Sequence, residues 1–580
     1  MGLGDGLAGG PYSFPMSGRY TSTLAFVYLL ALLLIGVGYI AIMPPFEGFD
    51  ETAHYASLRQ IADTGTIPVL HRSFFPQDIA DYRGPVAYST NAPPYDTGLS
   101  YAKFFAQPDM VARFVQDYRR PQPHPQFVPS AQENWEAQHP PLYYLLLAPV
   151  LRLIETAPFV SQIFVLRLLS YLLALAGIFF AMMAIPVSAR SIEPRAAVTG
   201  FLLYPVMLPM FFPEFARIGN DSLCLLFAGT AAFSLAKVLT QERSVVWPTA
   251  LGVSLGLGLL SKAFFIPITF GVGVFLLLRL WRSRGDKESR FLQLRSGALS
   301  LALAVVIGAG WYLHNYLAYG QFSGDVGAMQ IAAEGGIWAD LKQHHSLLAF
   351  AHGLAVMIVT WVWAGTWSLA RMPPLLYAPL FLLLIITIGG FLKRLGRTPL
   401  SQPEWLPVLL FASLGGGLLY HVIETVAYGE GGTGGWYLHI LMPWVAPALG
   451  LGAAAVLKET WRRQLFIALV IYALVFQAMA VWAQISLFTG CAIKGDDKSY
   501  VFSGHAFCVD QYATVFDRLA IVGWPWLAVA AFAGGLLCII WLVFELTRPR
   551  WSSSPHLESF AFANGRTGAD GGSATMVFPR

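Results

Sequence analysis

The sequence predicts an all-α polytopic membrane protein, a bundle of about 12 transmembrane helices with surface helices in large outer loops. Of its 580 residues, 56% are hydrophobic and only 12% are charged, whereas a soluble globular protein carries about 25% charged residues. So few ionic groups cannot cover a water-facing surface of this size. The composition excludes a disordered chain, a collagen-like repeat and a disulfide-rich secreted scaffold. The small net charge of +4 gives no support to nucleic-acid binding.

The first predicted span runs from Thr21 to Met43. Its apolar stretch is longer than a signal-peptide core, and Pro44-Pro45 follows it in place of a small-residue cleavage site, so we expect a retained helix. Eleven further apolar runs predict spans near 160–187, 197–213, 221–240, 247–261, 263–281, 297–318, 374–392, 405–426, 437–457, 464–488 and 518–544.

Basic residues between alternate runs predict the orientation of these spans. The positive-inside rule places them in the cytoplasm together with both termini. Because consecutive spans cross the membrane in alternate directions, two more apolar stretches, 140–154 and 347–370, are not counted as spans. We expect them on the non-cytoplasmic side, as helices that lie on or dip into the membrane surface. The basic residues are Arg190, Arg195, Lys237, Arg243, Arg279 to Arg295, Lys393, Arg394, Arg397, Lys458, Arg462, Arg463, Arg548 and Arg550.

The chain divides into four predicted segments. Residues 1–20 form a cytoplasmic N-terminus, and residues 21–457 form the transmembrane region that carries the site, most of it in the outer loop 44–159. Residues 458–546 add the C-terminal helices. Residues 547–580 are predicted to be a disordered cytoplasmic tail, because they are rich in Ser, Gly and Ala.

A disulfide is predicted between Cys491 and Cys508. Both lie in the predicted outer loop 489–516, where an oxidising compartment permits a bond. The other two cysteines, Cys224 and Cys538, fall in predicted spans and cannot compete. Two free thiols are the alternative.

The first candidate for chemistry lies where the chain leaves the first span. Glu47, Asp50, Glu51 and His54 fall within eight residues there, and a helical pattern from Asp50 onward makes Asp50 and His54 neighbours on one face. A carboxylate beside the low-dielectric bilayer gains a raised pKa, so Asp50 is a candidate general base for an acceptor hydroxyl or amine. The alternative is an N-cap that opens a surface helix, with Glu51 favouring the helix dipole. Asp50 can serve both as a general base and as an N-cap.

Further polar residues are predicted at the same outer face. A cation such as His139, Arg167 or Lys262 would bind a lipid phosphate there. For Arg167 and Lys262 the alternative is a long side chain that extends to the membrane interface. Asp221, at the outer start of a span, completes this set.

In order along the chain, the segments FDETAHY, QHPPLYY, RLLS, LLSK and WYLHNYLAYG resemble the GT-C membrane glycosyltransferases. These include the protein O-mannosyltransferases, the aminoarabinose transferase that acts on lipid A, and uncharacterised bacterial relatives. The resemblance spans roughly residues 21–450. It implies about 11–13 spans in a bacterial cytoplasmic membrane, a cavity that faces the periplasm or exterior, and a sugar donor linked to a polyprenyl phosphate or diphosphate.

The resemblance also assigns site residues. The family's first-loop acid corresponds to Asp50, with Glu51 beside it, and the basic residue before proline corresponds to His139, where some relatives have lysine. Where relatives have Gly-Arg-Tyr, this chain has Gly435-Trp436-Tyr437. No cofactor is required; a divalent ion such as Mg²⁺ or Mn²⁺, if used, would bind Asp50, Glu51 and Asp221. The candidate substrate-binding residues are His54, His139, Arg167, Asp221, Lys262, Tyr437 and His439.

The leading hypothesis is transfer of a lipid-linked sugar to a lipid, glycan or protein acceptor. Asp50 would take the acceptor proton while the polyprenyl phosphate leaves beside Lys262, Arg167 and His139. One alternative is a transporter or flippase of lipid-linked saccharides, which would carry ionisable groups near the middle of the membrane. A second is a non-catalytic assembly subunit, because Trp436 stands where relatives have arginine.

Overall fold

A computed structural model describes residues 18–87, 99–123, 126–187, 194–324, 335–336, 347–427, 432–456, 459–494, 500–502 and 506–547. The predicted tail beyond Thr547 and nearly all of the predicted N-terminus 1–20 lie outside these residues. So do Arg190, Lys458, Arg548 and Arg550 of the basic segments.

Helices form almost all of the regular secondary structure of the described residues. In chain order they are α1 (Gly18–Ile42), α2 (Glu51–Thr64), α3 (Gln77–Ala80), α4 (Tyr101–Phe105), α5 (Pro108–Tyr118), α6 (Leu142–Leu153), α7 (Phe159–Val187), α8 (Pro194–Met207), α9 (Phe211–Phe215), α10 (Asp221–Thr240), α11 (Val246–Leu259), α12 (Phe265–Arg282), α13 (Lys287–Tyr319), α14 (Leu347–Val362), α15 (Pro374–Leu395), α16 (Leu406–Ala427), α17 (Met442–Val456), α18 (Glu459–Phe488), α19 (Tyr512–Val522) and α20 (Pro525–Thr547). Short 3₁₀ helices cover Ser283–Gly285, Pro403–Trp405, Gly435–Leu441 and Ala506–Gln511.

The predicted fold class is confirmed. Within the described ranges, 10 helices are long and apolar enough to cross a membrane. The two remaining predicted spans correspond to shorter apolar helices, Ala196–Met207 and Val246–Leu259. The two stretches predicted as surface helices form Leu142–Leu153 and Leu347–Val362, which are also shorter.

The predicted run 518–544 is wrong as one helix. α19 ends before Gly523, and α20 begins at Pro525, whose missing N–H suits the first turn of a helix. The backbone N–H of Trp524 donates instead to Ala41 O at 2.7 Å, at the end of α1. The last span therefore starts next to the point where the first one ends.

The predicted outer loop 44–159 is folded, with short helices and a two-stranded sheet. Its strands β1 (Phe74–Pro76) and β2 (Pro129–Glu133) pair antiparallel, as do β3 (Ala492–Lys494) and β4 (Tyr500–Phe502) in the predicted outer loop 489–516. The hypothesis that α2 is a surface helix is wrong. Every residue from Glu51 to Arg59 is buried, because other segments pack on this helix and its polar side chains find partners there, as His54 does in Tyr144 and Tyr55 in Gln162.

Close packing of α7 against α10 fixes the two helices that carry site residues. A side chain at Gly177 would lie 2.3 Å from Leu225 O, and one at Gly229 would lie 1.9 Å from Gly177 O. Only glycine permits this approach, which is typical of helix pairs in membranes. Arg167 on α7 and Asp221 at the start of α10 are thereby held at a fixed separation.

Candidate active site

Asp50 lies in a tight turn between α1 and α2. Its backbone has φ 54°, the left-handed region that Asp tolerates better than most residues. It occupies the position before the first residue of α2, but its side chain makes no capping hydrogen bond. The N-cap alternative is therefore not supported, and the carboxylate is directed to other partners.

Asp50 is a partly exposed residue, and its carboxylate lies in a charged environment. Burial raises its pKa to about 6 and the nearby Glu136 adds to the rise, while Arg217, Lys262 and a hydrogen bond from the indole N–H of Trp135 oppose it. Among the described residues, no cation forms an ion pair with it. Asp50 is thus a carboxylate that can take up a proton near neutral pH.

Both carboxylate oxygens of Glu51 have hydrogen-bond partners. Its two carboxylate oxygens accept hydrogen bonds from Nε and Nη2 of Arg167 at 2.7 and 2.5 Å, and a further bond from the Ile218 N–H at 3.0 Å. Arg167 also donates to the carbonyl oxygens of Met43 and Pro44 at 2.5 and 2.6 Å. The pair therefore holds the turn before Asp50 against α7.

A second buried network lies on the other side of Asp50. Nη2 of Arg217 lies 2.7 Å from Glu214 and 2.8 Å from Asp221, and its Nη1 donates to Phe49 O at 2.7 Å. Nζ of Lys262 lies 3.0 and 2.9 Å from the two Asp221 oxygens. Asp221 therefore joins two cations, which lie beside Asp50.

A pair of histidines forms the third side. Nδ1 of His54 lies 2.8 Å from the Tyr144 hydroxyl, and burial lowers the pKa of His54 to about 3, so this ring is neutral. Its ring stacks at 6.0 Å on that of His139, which forms an ion pair with Glu136. Burial opposes ionisation of Glu136, but the adjacent His139, which also hydrogen-bonds to it, and Lys262 outweigh burial and hold the pKa at about 2.

Aromatic side chains border the same site. The rings of Phe49 and Trp436 stack 4.1 Å apart with 9° between their planes. Tyr437 lies 4.6 Å from Phe264, and Lys262 Nζ lies 4.7 Å from the centre of the Tyr437 ring.

The structure brings eight of the sequence-predicted site residues together, and His439 is separate. The gathered residues are Asp50, Glu51, His54, His139, Arg167, Asp221, Lys262 and Tyr437. His439 is buried, with Nδ1 3.1 Å from the Tyr204 hydroxyl and its ring beside Phe211. Its described contacts include none of the acidic residues.

Sequence reasoning missed Glu214 and Arg217. Both are buried, and two opposite charges three residues apart in the apolar segment after 213 were the available signal. The roles of Trp135 and Glu136 were missed too, although both stand in the segment that contains His139.

The three acids proposed as ligands for a divalent ion do not form a metal site. Glu51 is paired with Arg167, and Asp221 is paired with Arg217 and Lys262. In the part of the chain that the structure describes, no group of three or more His, Cys, Asp or Glu residues is arranged to hold a metal ion.

The fold and the site define a polytopic α-helical membrane protein with a cluster of ionisable residues at helix ends. Residues 138–311, less than half of the chain, match the family model of dolichyl-phosphate-mannose-protein mannosyltransferases. Over these residues the resemblance to the GT-C membrane glycosyltransferases is confirmed. The matched segment contains His139, Arg167, Asp221 and Lys262.

Solved structures of ArnT from Cupriavidus metallidurans are similar to this chain. The structure bound to undecaprenyl phosphate is 14% identical over 92% of this chain and 79% of that chain, with a TM-score of 0.44. The apo structure is 14% identical over 92% and 78%, with a TM-score of 0.41. No curated protein matches.

Proposed function

We propose that this protein transfers a sugar from a polyprenyl-phosphate donor to a lipid, glycan or protein acceptor at the outer face of the membrane. Asp50 serves as the general base. The observation that carries this proposal is the contrast between Asp50 and its neighbours. Glu51, Glu214 and Asp221 are each paired with an arginine or a lysine, and Glu136 contacts the ring of His139, while Asp50 is partly exposed and, in the described structure, has no such partner.

Asp50 has the properties that proton transfer requires. Its pKa of about 6 leaves it ionised at neutral pH yet basic enough to accept a proton from an acceptor hydroxyl or amine as the new glycosidic bond forms. The indole N–H of Trp135 donates a hydrogen bond to the Asp50 carboxylate and thereby orients it. The remaining lone pairs are available to the acceptor.

Lys262 is placed to stabilise the leaving phosphate. Its Nζ has three N–H donors, and the Asp221 oxygens accept two of them at 3.0 and 2.9 Å. The third has no oxygen or nitrogen partner in the described residues, so it can bind a phosphate oxygen. Charge that develops on the phosphate as the sugar–oxygen bond breaks is stabilised by this buried cation, and Arg217 adds to the field.

Glu51 and Arg167 have a supporting role in this mechanism. Four of the five N–H groups of Arg167 are bonded to Glu51, Met43 and Pro44, so Arg167 holds the turn rather than a substrate. His139, with 15% of its side chain exposed, lies at the rim and can contact the phosphate from the side of Glu136.

The positions of the charges favour a transferase over a transporter. Asp221 is the first residue of α10, Lys262 lies between α11 and α12, and Asp50 precedes α2. These residues are at the ends of helices, and alternating access would need them near the middle of the spans.

In vitro transfer tests the proposal. Purified protein in detergent is given a radiolabelled polyprenyl-phosphate hexose and a panel of lipid, glycan and peptide acceptors. We expect label on an acceptor together with an equal amount of free polyprenyl phosphate. Movement of the intact donor across sealed vesicles without its cleavage would support the transporter instead. If neither transfer nor movement is observed, the assembly subunit is favoured.

A further inference from the structure

The side chains around the site form a closed ring of contacts with two chemically different halves. The charged half runs from Phe49 O through Arg217 and Asp221 to Lys262, with contacts of 2.7, 2.8 and 2.9 Å. The aromatic half returns from Lys262 through Tyr437 and Trp436 to the ring of Phe49, with centre distances of 4.7, 5.7 and 4.1 Å. Asp50 follows Phe49 at the point where the halves meet.

The aromatic half has a surface for a ligand. Trp436 and Tyr437 are partly exposed, while Phe49, on which Trp436 stacks, is buried. The indole Nε1 of Trp436 is buried and has no hydrogen-bond partner in the described residues. A buried donor without a partner is uncommon, and an acceptor on a ligand would satisfy it.

The backbone makes room for this indole. A side chain on Gly434 would lie 2.2 Å from Cε2 and Cζ2 of Trp436, so only glycine leaves the ring in its place. A side chain on Gly435 would lie 1.8 Å from Met357 O, which fixes the short 3₁₀ helix against α14. The position of Trp436 is therefore set by two glycines next to it.

We propose that Trp436 and Tyr437 form the wall against which the sugar of the lipid-linked donor packs, and that this wall selects a neutral sugar over one that bears a carboxylate. The inference rests on the proposed function, because the sugar must lie between the base Asp50 and the phosphate at Lys262. The two aromatic residues border that interval. The sugar's C–H groups pack on the rings, and one of its oxygens accepts the hydrogen bond of Trp436 Nε1.

A charged sugar is disfavoured by the same wall. A carboxylate placed against indole and phenol rings would lose its water without gaining a cation. In the proposed reaction the remaining N–H of Lys262 binds the phosphate, and Arg217 is paired with Glu214 and Asp221. Selection of this kind arises from the unfavourable contact as much as from the favourable one.

Equilibrium binding gives a test that does not depend on turnover. The dissociation constants of a polyprenyl-phosphate hexose and of the matching hexuronate are measured for the wild type, Trp436→Phe and Trp436→Arg. We expect the wild type to favour the hexose by at least about tenfold. Trp436→Phe should keep most of that ratio, since it retains the stack on Phe49, whereas Trp436→Arg should lower the ratio by a similar factor.

The controls separate this inference from the proposed function. Trp526→Arg changes a tryptophan that is 76% exposed in α20, and it should leave the ratio unchanged. Gly434→Ala displaces Trp436 by a different route and should weaken hexose binding without improving hexuronate binding. A ratio near one in the wild type, or an unchanged ratio in Trp436→Arg, would overturn the inference even if transfer is observed. Selective binding without transfer would leave the inference standing while the proposed reaction fails.

Discussion

Glu51 and Arg167, 116 residues apart in the sequence, form a two-point ion pair in which the carboxylate is 0% exposed and the guanidinium 2% exposed. The same guanidinium donates to two carbonyl oxygens of the turn that precedes Asp50. The position of the proposed base thus depends on a contact between the first residue of α2 and α7.

Substitution of Glu51 tests this supporting role. Glu51→Gln leaves the buried Arg167 charge without a carboxylate, and breaking such a pair costs about 3–5 kcal/mol. We expect a clearly lower melting temperature in detergent. Arg243→Ala, which removes an exposed pair with Glu288, should change stability by less than about 1 kcal/mol. Normal stability with lost transfer in Glu51→Gln would show that Glu51 takes part in the chemistry.

The rate of transfer should depend on pH through Asp50. A general base acts in its deprotonated form, and the pKa of Asp50 is about 6, so kcat/KM should fall as the pH drops below that value. The neighbouring His54, with its pKa lowered to about 3, does not change its charge in this range. A pH–rate profile measured from about pH 5 to about pH 8 checks this. A flat profile would remove Asp50 from the rate-determining proton transfer.

The disulfide between Cys491 and Cys508 closes a loop with a sequence separation of 17 residues. A bond over a loop of this length stabilises by about 3 kcal/mol. Reduction, or Cys508→Ser, should therefore lower the melting temperature and slow migration in a non-reducing gel. Cys538→Ser, which changes a free cysteine, is the control and should do neither. Labelling of both thiols in the native protein would contradict the bond.

Membrane topology is tested by labelling from one side. Lys103 lies in α4 of the predicted outer loop 44–159 and is exposed, so Lys103→Cys should react with an impermeant maleimide in intact cells. Arg397→Cys, in a basic segment that the positive-inside rule assigns to the cytoplasm, should react only after permeabilisation. Reversal of this pattern would place the site on the cytoplasmic face.

The sequence predicts the spans and the approximate membership of the site, because long apolar runs and polar residues at their ends are local signals. It does not predict pairings between distant residues. The sequence predicts both Arg167 and Lys262 as phosphate ligands. In the structure Arg167 forms an ion pair with Glu51, and Lys262 forms one with Asp221.

Two features of the site depend on tertiary structure alone. The backbone of Asp50 is left-handed, and its carboxylate does not form the N-cap hydrogen bond that the composition favours. No pattern in the surrounding residues indicates this conformation. The stack of Trp436 on Phe49 joins segments almost 390 residues apart in the printed sequence. Such a contact becomes visible only when the helices are assembled.

Single-turnover transfer by Asp50→Asn is the most direct measurement of the proposed mechanism. Asparagine keeps the size and much of the hydrogen bonding but removes the charge and the basic lone pair, so the rate should fall by about 10²–10⁴. The melting temperature should not fall, because a carboxylate whose pKa is raised by burial destabilises the fold, an effect that develops as the pH rises from the ordinary pKa of Asp and is complete above about pH 6. A wild-type rate in Asp50→Asn, with the donor still bound and cleaved, would contradict Asp50 as the base.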